Sequence, residues 1–418
     1  MSCASHVGQD TILSYTQLVC LHPNPYIHTY SLPGSSYLKS IAHIDLDCFF
    51  VSVERIKDPT LIGKPVLVGG SATGRGVVAS ASYEARAFGV RSAMPTGQAL
   101  RLCPSAIVVS GRHGEYSLHS NRLYKRLLEI APVVERASID EMYLDFTGCE
   151  SLYDGDLPGY MKKLQTLVRD EFELPATIAL ASNKLVAKVA ANTVKPAGVI
   201  HVPHGTEEVF LAKLPIEALP GVGKKTEAFL KKRGFHFIRD LQELPEKKLI
   251  ALLGAHGEWL YRASHGRGST HVHEDGGRKS ISKEETFWHD ISGLRDLEKQ
   301  LFVLVEDVAS TLRRKCLLAR TVTLKYRLHT FKTFTRSETI PPTNYDPAIL
   351  ETAIALLRRL HTASVPVRLI GIGVSNLVGD VPPDEELFPP DSRRTRMLKA
   401  VDALRGKYGA NIVDIGSA

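Results

Sequence analysis

Two short acidic strings interrupt otherwise apolar stretches of this chain. In Ile41-Ala42-His43-Ile44-Asp45-Leu46-Asp47-Cys48-Phe49-Phe50, Asp45 and Asp47 break the pattern of a predicted strand. A spacing of two puts both carboxylates on one strand face. The second string is Asp140-Glu141, inside a predicted strand from Ser138 to Phe146. Taking a carboxylate out of water costs several kcal/mol unless a positive group compensates it. That group is either an Arg or Lys partner or a bound cation. Hard oxygen ligands suit Mg²⁺, which takes one or two carboxylates, waters and substrate phosphates. Two such ions about 3.5–4 Å apart activate an attacking oxygen and stabilise a leaving one in phosphoryl transfer. A single acid of this kind would more often cap a strand or form a buried ion pair. Two clusters in one domain put cation binding ahead.

Basic and aromatic residues extend this chemistry. Tyr83 and Arg86 are three apart at a predicted helix start near Ser82, so they share a face. The planar fork of an arginine suits phosphate oxygens, although an exposed pair making no contact has the same spacing. Lys184, Lys188 and Lys195 fall on roughly one face of a helix predicted over 183–194, with Ser182 as its N-cap. For Lys184 and Lys188 a solvated face is expected. Leu219-Pro220-Gly221-Val222-Gly223-Lys224-Lys225-Thr226 has the form of a helix-hairpin-helix turn. In such a turn Gly221 and Gly223 let the backbone approach a phosphate, and Lys224 and Lys225 add charge. Phe50, at the end of the first acidic strand, would on pattern alone be a core residue.

These residues need elements to hold them. Over the first two hundred residues strands and helices alternate, as in an α/β or α+β domain. Residues 202–265 are short helical pieces with turns at Pro215, Pro220 to Gly223, and Gly254. A stretch rich in Gly, Ser, His and Arg, 267–279, has no apolar period and is expected to be a linker. Beyond it the pattern is a strand (280–288), a helix (293–316), two strands (319–329 and 331–340), a helix (346–361) and a strand (366–376). This is the β-α-β-β-α-β order of ferredoxin-like units. In its second strand Val322, Leu324, Tyr326 and Leu328 alternate with polar or basic residues, so one face is core and the other wet. No Asp or Glu occurs from Arg313 through Ser337. Arg320, Lys325, Arg327 and Lys332, with Lys279 in the linker, therefore suggest a track for phosphates.

The chain has 418 residues, with 52 Lys+Arg against 45 Asp+Glu and a net charge of +7. That length suggests two to four domains. Hydrophobic residues are 44 % and charged residues 23 %, which excludes wholesale disorder and fibrous architectures. No run of about 18 uncharged apolar residues is present, so no membrane span or membrane partner is expected. The six cysteines form no CxxC pair, so neither a zinc ribbon nor a disulfide framework is indicated. The first 38 residues contain no Lys or Arg and do not have the form of a secretory signal.

The strings Ile44-Asp45-Leu46-Asp47-Cys48-Phe49-Phe50-Val51-Ser52-Val53-Glu54, Ser82-Tyr83-Glu84-Ala85-Arg86-Ala87-Phe88-Gly89-Val90, Arg91-Ser92-Ala93-Met94-Pro95 and Ser138-Ile139-Asp140-Glu141 together resemble the Y-family translesion DNA polymerases, most closely the DinB type (DNA polymerase IV). The similarity runs in order from about residue 40 to 378, and four motifs at family-like spacing make it specific. It implies an α+β multidomain, right-hand polymerase: a ferredoxin-like palm (39–50 and 112–201), small fingers (51–111), a helical thumb (202–266), the linker, a little finger (280–378) and a tail (379–418) behind an N-terminal extension (1–38). It implies that Asp45, Asp140 and Glu141 bind and catalyse with two Mg²⁺ ions, Mn²⁺ being a substitute, and that the backbone carbonyl of Leu46 is a further ligand. Asp47 has no such role in the family. Phe50 would be the steric gate beneath the sugar, with Phe49 beside it. Ser80, Tyr83, Arg86 and Lys195 would hold the triphosphate.

The implied partners are primer-template DNA and deoxynucleoside triphosphates, bound by a monomer in the cytoplasm with the nucleoid. Low fidelity and lack of proofreading are implied by the resemblance alone. Asp384-Glu385-Glu386-Leu387-Phe388 resembles the sliding-clamp peptide of bacterial relatives but has Asp384 where Gln is usual, so clamp binding stays open. Two other classes fit parts of the pattern. A non-catalytic DNA-binding accessory would not need Asp45, Asp140 and Glu141, and a nucleotidyl cyclase would not need a duplex track.

Overall fold

A computed structural model describes residues 38–274, 277–362 and 365–379, together with 397, 400–404 and 407. All but Leu38 of the N-terminal extension, and the 384–388 peptide, lie outside the described residues. The chain divides into two compact units, residues 1–276 and 277–418.

The first unit is built on a five-stranded sheet with β1 (Ile41–Leu46) at its centre. β1 is buried along its whole length, which its apolar composition requires. Next come α1 (Phe49–Lys57), β2 (Val66–Gly69), β3 (Val78–Ala81), α2 (Tyr83–Ala87), α3 (Thr96–Leu102), β4 (Ile107–Val109), α4 (His113–Leu128), β5 (Val133–Arg136), β6 (Glu141–Asp145), α5 (Leu157–Phe172), β7 (Ala176–Ala181), α6 (Lys184–Thr193) and β8 (Val199–His201). The large sheet has the order β5-β6-β1-β7-β8, with β1 antiparallel to both neighbours. β2, β3 and β4 form a separate small sheet. One face of β1 presents Ala42, Ile44 and Leu46 to the core formed with α4 and α5. The other face presents His43 and Asp45. Over it lies α6, brought close by Ala179, Ala181, Ala187, Ala190 and Ala191. The N-cap of α6 is Asn183, whose side chain accepts from the Val186 N–H; it is not Ser182 as expected.

Five short helices complete this unit: α7 (Glu207–Ala212), α8 (Lys224–Lys231), α9 (Ile238–Gln242), α10 (Glu246–Leu253) and α11 (Ala255–Ser264). The residues after α11 differ from the linker expectation. Val272 is buried against Ile41 and Tyr143, and the Ser269 carbonyl accepts from the Lys184 N–H at 3.0 Å. The His273 N–H donates to Glu135 at 2.9 Å. Backbone hydrogen bonds and one buried valine hold this segment, and neither produces an apolar period in sequence.

The second unit contains β9 (Ser280–Ile291), α12 (Leu294–Arg314), β10 (Leu317–Leu328), β11 (Thr333–Thr343), α13 (Asp346–Leu360), β12 (Val367–Ser375) and β13 (Val378–Gly379). The element order is the expected β-α-β-β-α-β. The antiparallel sheet order is β11-β10-β12-β9, so β12 inserts between β9 and β10 and splits that crossover. Val322, Leu324, Tyr326, Ile370 and Ile372 pack against Leu301, Val305 and Leu357 of the helices. Register pairs Thr323 with Ser337, Lys325 with Thr335 and Arg327 with Thr333 on the opposite face.

One buried cluster in the first unit gives a stability prediction. Glu54 on α1 has 0 % exposure, accepts from the Tyr116 hydroxyl at 2.6 Å and is ion-paired with Arg112. Burial pushes its carboxyl up, but Arg112 and Tyr116 outweigh burial and hold it below the usual range. A depressed carboxyl stabilises the fold above the unfolded value and loses that contribution as pH falls through the folded value. Glu54→Gln should therefore cost about 2 kcal/mol at neutral pH, less than a fully buried pair because half of Arg112 is open to water. Denaturant titrations of both proteins should show the difference shrinking as pH falls through the acid range. A difference that does not change with pH would reject the ion pair as its cause.

Candidate active site

The β1–β6 register places Asp45 directly opposite Glu141. Directly paired residues lie on one face about 4.5–5.5 Å apart, and two like charges there repel. The ends of both strands meet a cavity of about 160 Å³. Its walls include Asp45, Leu46, Asp140, Glu141, Phe49, Phe50, Ser80, Tyr83, Arg86 and Lys195, together with Cys48, Ala79 and Ser92. Asp140 lies in the bend before β6, where its carboxylate accepts from the Ser138 hydroxyl at 2.5 Å. The Asp140 carbonyl accepts from the Leu46 N–H at 2.9 Å, tying the two acidic turns together.

Asp45 is 5 % exposed and bonds the Lys195 ammonium at 2.5 Å. Burial nevertheless lifts its carboxyl above the usual range. His43, whose Nε2 is 3.7 Å away, and the ion-paired Lys188 hold the Glu141 carboxyl below the usual carboxylate range, against the cost of burial. At 3.7 Å His43 makes no hydrogen bond, and neither of its buried ring nitrogens has a hydrogen-bond partner. Among the described residues, His43, Asp45 and Glu141 form a group whose ligand atoms lie within 4.8 Å of one another. Asp140 is outside that group, held by Ser138. Asp45 and Glu141 are thus neutralised by the flexible lysines Lys195 and Lys188, which a divalent cation can displace. Hard carboxylate oxygens, desolvated and facing one another, fit a divalent cation.

Two expectations require correction. Asp47 does not share the face of Asp45, because β1 ends at Leu46 and the chain turns. Its carboxylate accepts from the Tyr83 hydroxyl at 2.9 Å, the Thr177 hydroxyl at 2.9 Å and the Ala197 N–H at 2.8 Å. With three donors on two oxygens, it is a structural acid. Lys184 and Lys188 are not a solvated face either. Lys184 bonds both oxygens of Glu135 at 2.6 Å, and Lys188 pairs with Glu141.

Phe50 is positioned by a sharp turn at Cys48, whose φ of 39° lies in the left-handed region. The turn directs Phe49 into the core, at 2 % exposure, and leaves Phe50 at the cavity wall. The Phe50 ring stacks on Tyr116 with centroids 4.2 Å apart and an interplanar angle of 12°. Burial and the Glu54 carboxylate push Tyr116 up to about 12, so its hydroxyl stays a donor. Arg86 donates through Nε to the Ala81 carbonyl at 3.0 Å and lies over the Tyr83 ring at 4.7 Å. Its terminal nitrogens have no acidic partner among the described residues.

The residues read as a DNA grip are spread over both units. Gly221 has a φ of +88°, which strains any other residue, and a Cβ there would press on the Trp259 ring at 3.3 Å. Gly223 is the N-cap of α8, whose first turn exposes Lys224 and Lys225. In the second unit Lys279, Arg320 and Lys332 are exposed. Arg327 donates to Thr333 at 2.8 Å, and Lys325 is paired with Glu284 of β9 at 2.5 Å. That face therefore carries an acid from outside the acid-free stretch, and a row of hydroxyls that charge counting overlooked.

Residues 44–192 match the impB/mucB/samB family, 278–386 its C-terminal domain, and 217–267 the thumb domain of DNA polymerase-iota. Among solved structures, a Y-family DNA polymerase chimera aligns with a TM-score of 0.75 and 26 % identity, covering 81 % of this chain and 99 % of its own. The architecture is accordingly that of the Y-family polymerases. DNA polymerase IV of Dehalococcoides mccartyi (strain CBDB1) is 39 % identical over 383 residues, 91 % of this chain and 97 % of that protein. DNA polymerase IV of Caulobacter vibrioides is 37 % identical over 381 residues, 91 % and 94 % of the two chains. The chain belongs to the DNA polymerase IV family of Y-family polymerases.

Proposed function

We propose that this protein is a DNA-directed DNA polymerase of the translesion type that adds deoxynucleotides to a primer 3′ end, with Mg²⁺ as its cation and Mn²⁺ as a substitute. The observation that carries the reading is the pairing of Asp45 with Glu141 beside Asp140 in one cavity that also holds Phe50, Arg86 and Lys195. Asp45, Asp140, Glu141 and the Leu46 carbonyl hold the cations. Bound there, divalent cations supply Lewis acidity, lowering the pKa of the primer hydroxyl and neutralising the triphosphate. Arg86, Tyr83, Ser80 and Lys195 orient the phosphates, and Phe50 backs the sugar. The sheet-bearing part of the first unit is palm (39–50, 112–201) and fingers (51–111), and its helical part is thumb (202–266). The second unit (280–378) is a little finger gripping duplex backbone through Arg320, Lys325, Arg327 and Lys332. Such contacts fix register without reading sequence.

Among the described residues no helix is long and apolar enough to cross a membrane. The DNA partner favours the cytoplasm with the nucleoid. The test is extension of a labelled primer on templates of different sequence with Mg²⁺ and four deoxynucleoside triphosphates. Products should follow the template base by base, and no extension on any template would reject the reading. Arg86→Ala should raise the deoxynucleotide KM roughly 10–100-fold, the value of a charge-assisted hydrogen-bond set, with a smaller change in kcat. An unchanged KM would remove Arg86 from the phosphate site.

A further inference from the structure

Lys188 lines one cavity and is ion-paired with a residue that lines another. Its ammonium pairs with Glu141, which lines the nucleotide cavity. The same side chain lines a groove of about 570 Å³ with Lys184, Tyr143, Trp259, Arg262 and Arg267. Lys184 is committed to Glu135, while Arg262 and Arg267 are exposed and have no acidic partner among the described residues. Cations beside Trp259, which is 39 % exposed, suit a phosphodiester strand.

A divalent cation on Glu141 cancels the carboxylate charge that holds the Lys188 ammonium and repels that ammonium itself. At equal distance the doubly charged ion attracts the carboxylate more strongly. Once displaced, a half-buried ammonium needs another anion, and its flexible stem lets it turn. The adjoining space is the groove, which is already cationic and would be neutralised by a strand of phosphates.

We propose that Lys188 is a counter-ion that changes partner: it neutralises Glu141 in the cation-free protein and grips a phosphate of the primer strand, in the groove, once a divalent cation claims that carboxylate. The proposal rests on the reading of Glu141 as a cation ligand. Its consequence is reciprocal coupling, in which cation loading strengthens the primer grip and the primer strengthens cation binding.

The test separates binding from turnover. A primer-template with a dideoxy end is titrated by fluorescence anisotropy over a salt series, without nucleotide, in EDTA and at fixed Mg²⁺. Lys188→Gln should flatten the slope of log Kd against log salt by about one in Mg²⁺ and leave it unchanged in EDTA. Lys188→Arg should keep the wild-type slope in both. In the absence of DNA, Lys188→Gln should bind Mn²⁺ several-fold tighter than wild type by electron paramagnetic resonance, because the competing ammonium is gone. Equal slope changes with and without Mg²⁺, no slope change, or unaltered Mn²⁺ affinity would each overturn the exchange. Glu141→Gln separates the two levels. If it holds Mn²⁺ as well as wild type, the cation site itself fails. If it loses Mn²⁺ while Lys188→Gln behaves as wild type, only the exchange fails.

Discussion

Glu141→Gln should lower template-directed primer extension by about 10³-fold, since bound cations contribute several kcal/mol to the transition state and each 1.36 kcal/mol is tenfold in rate. Asp45→Asn should do the same, because the two residues are a register pair facing one cavity. Neither change should unfold the protein. Glutamine still offers Lys188 an oxygen acceptor, and asparagine still offers one to Lys195. Groups that act as a unit are not additive, so the double variant should be little worse than either single one. Steady-state extension rates with thermal melts as a control give the answer. Single variants within tenfold of wild type, or a double variant whose loss is the product of the two, would mean that the carboxylates do not share one function. Asp140→Ala plus Glu141→Ala tests the second acidic turn in the same way.

How far this site was legible depends on which interactions are local. Strand periodicity found β1 because Ile41 to Leu46 is apolar at all but the chemically loaded positions, and an all-buried central strand tolerates few exceptions. The same rule misplaced Asp47. Alternation holds only while the strand lasts, and the chain turns after Leu46. What defines Asp47 is a set of donors 36, 130 and 150 residues away, Tyr83, Thr177 and Ala197, and no spacing rule reports these. The lysines of α6 failed for a related reason. Lysines four apart normally face water. Here alanines on β7 and α6 let the helix lie close to the sheet, which brings Lys184 and Lys188 to carboxylates on β5 and β6. That run of alanines was the available signal. In the second unit the alternation of Val322, Leu324 and Tyr326 identified the core face correctly. The charge of the opposite face depends on Glu284, which reaches Lys325 from a strand 41 residues earlier in the chain.

Phe50→Ala should admit ribonucleotides, with the ratio of kcat/KM for deoxy- over ribonucleotide falling roughly 10–100-fold. The magnitude follows from the 1–3 kcal/mol that overpacking costs in a closely packed space. Exclusion of a sugar hydroxyl requires a ring that cannot move aside, and three features provide one. The left-handed Cys48 fixes where α1 begins. Tyr116 stacks on the ring at 4.2 Å, with the edge of His113 at 5.9 Å. The Tyr116 hydroxyl is in turn anchored on buried Glu54 at 2.6 Å. A sugar hydroxyl entering beneath the nucleotide would have to displace this stack as a whole. Tyr116→Ala should therefore also lower the ratio, by less than Phe50→Ala, because the gate remains but loses its backing. Single-nucleotide insertion with matched ribo- and deoxynucleotides on one template measures both variants. An unchanged ratio in Phe50→Ala would remove the gate. An unchanged ratio in Tyr116→Ala alone would show that Phe50 holds its place without the stack.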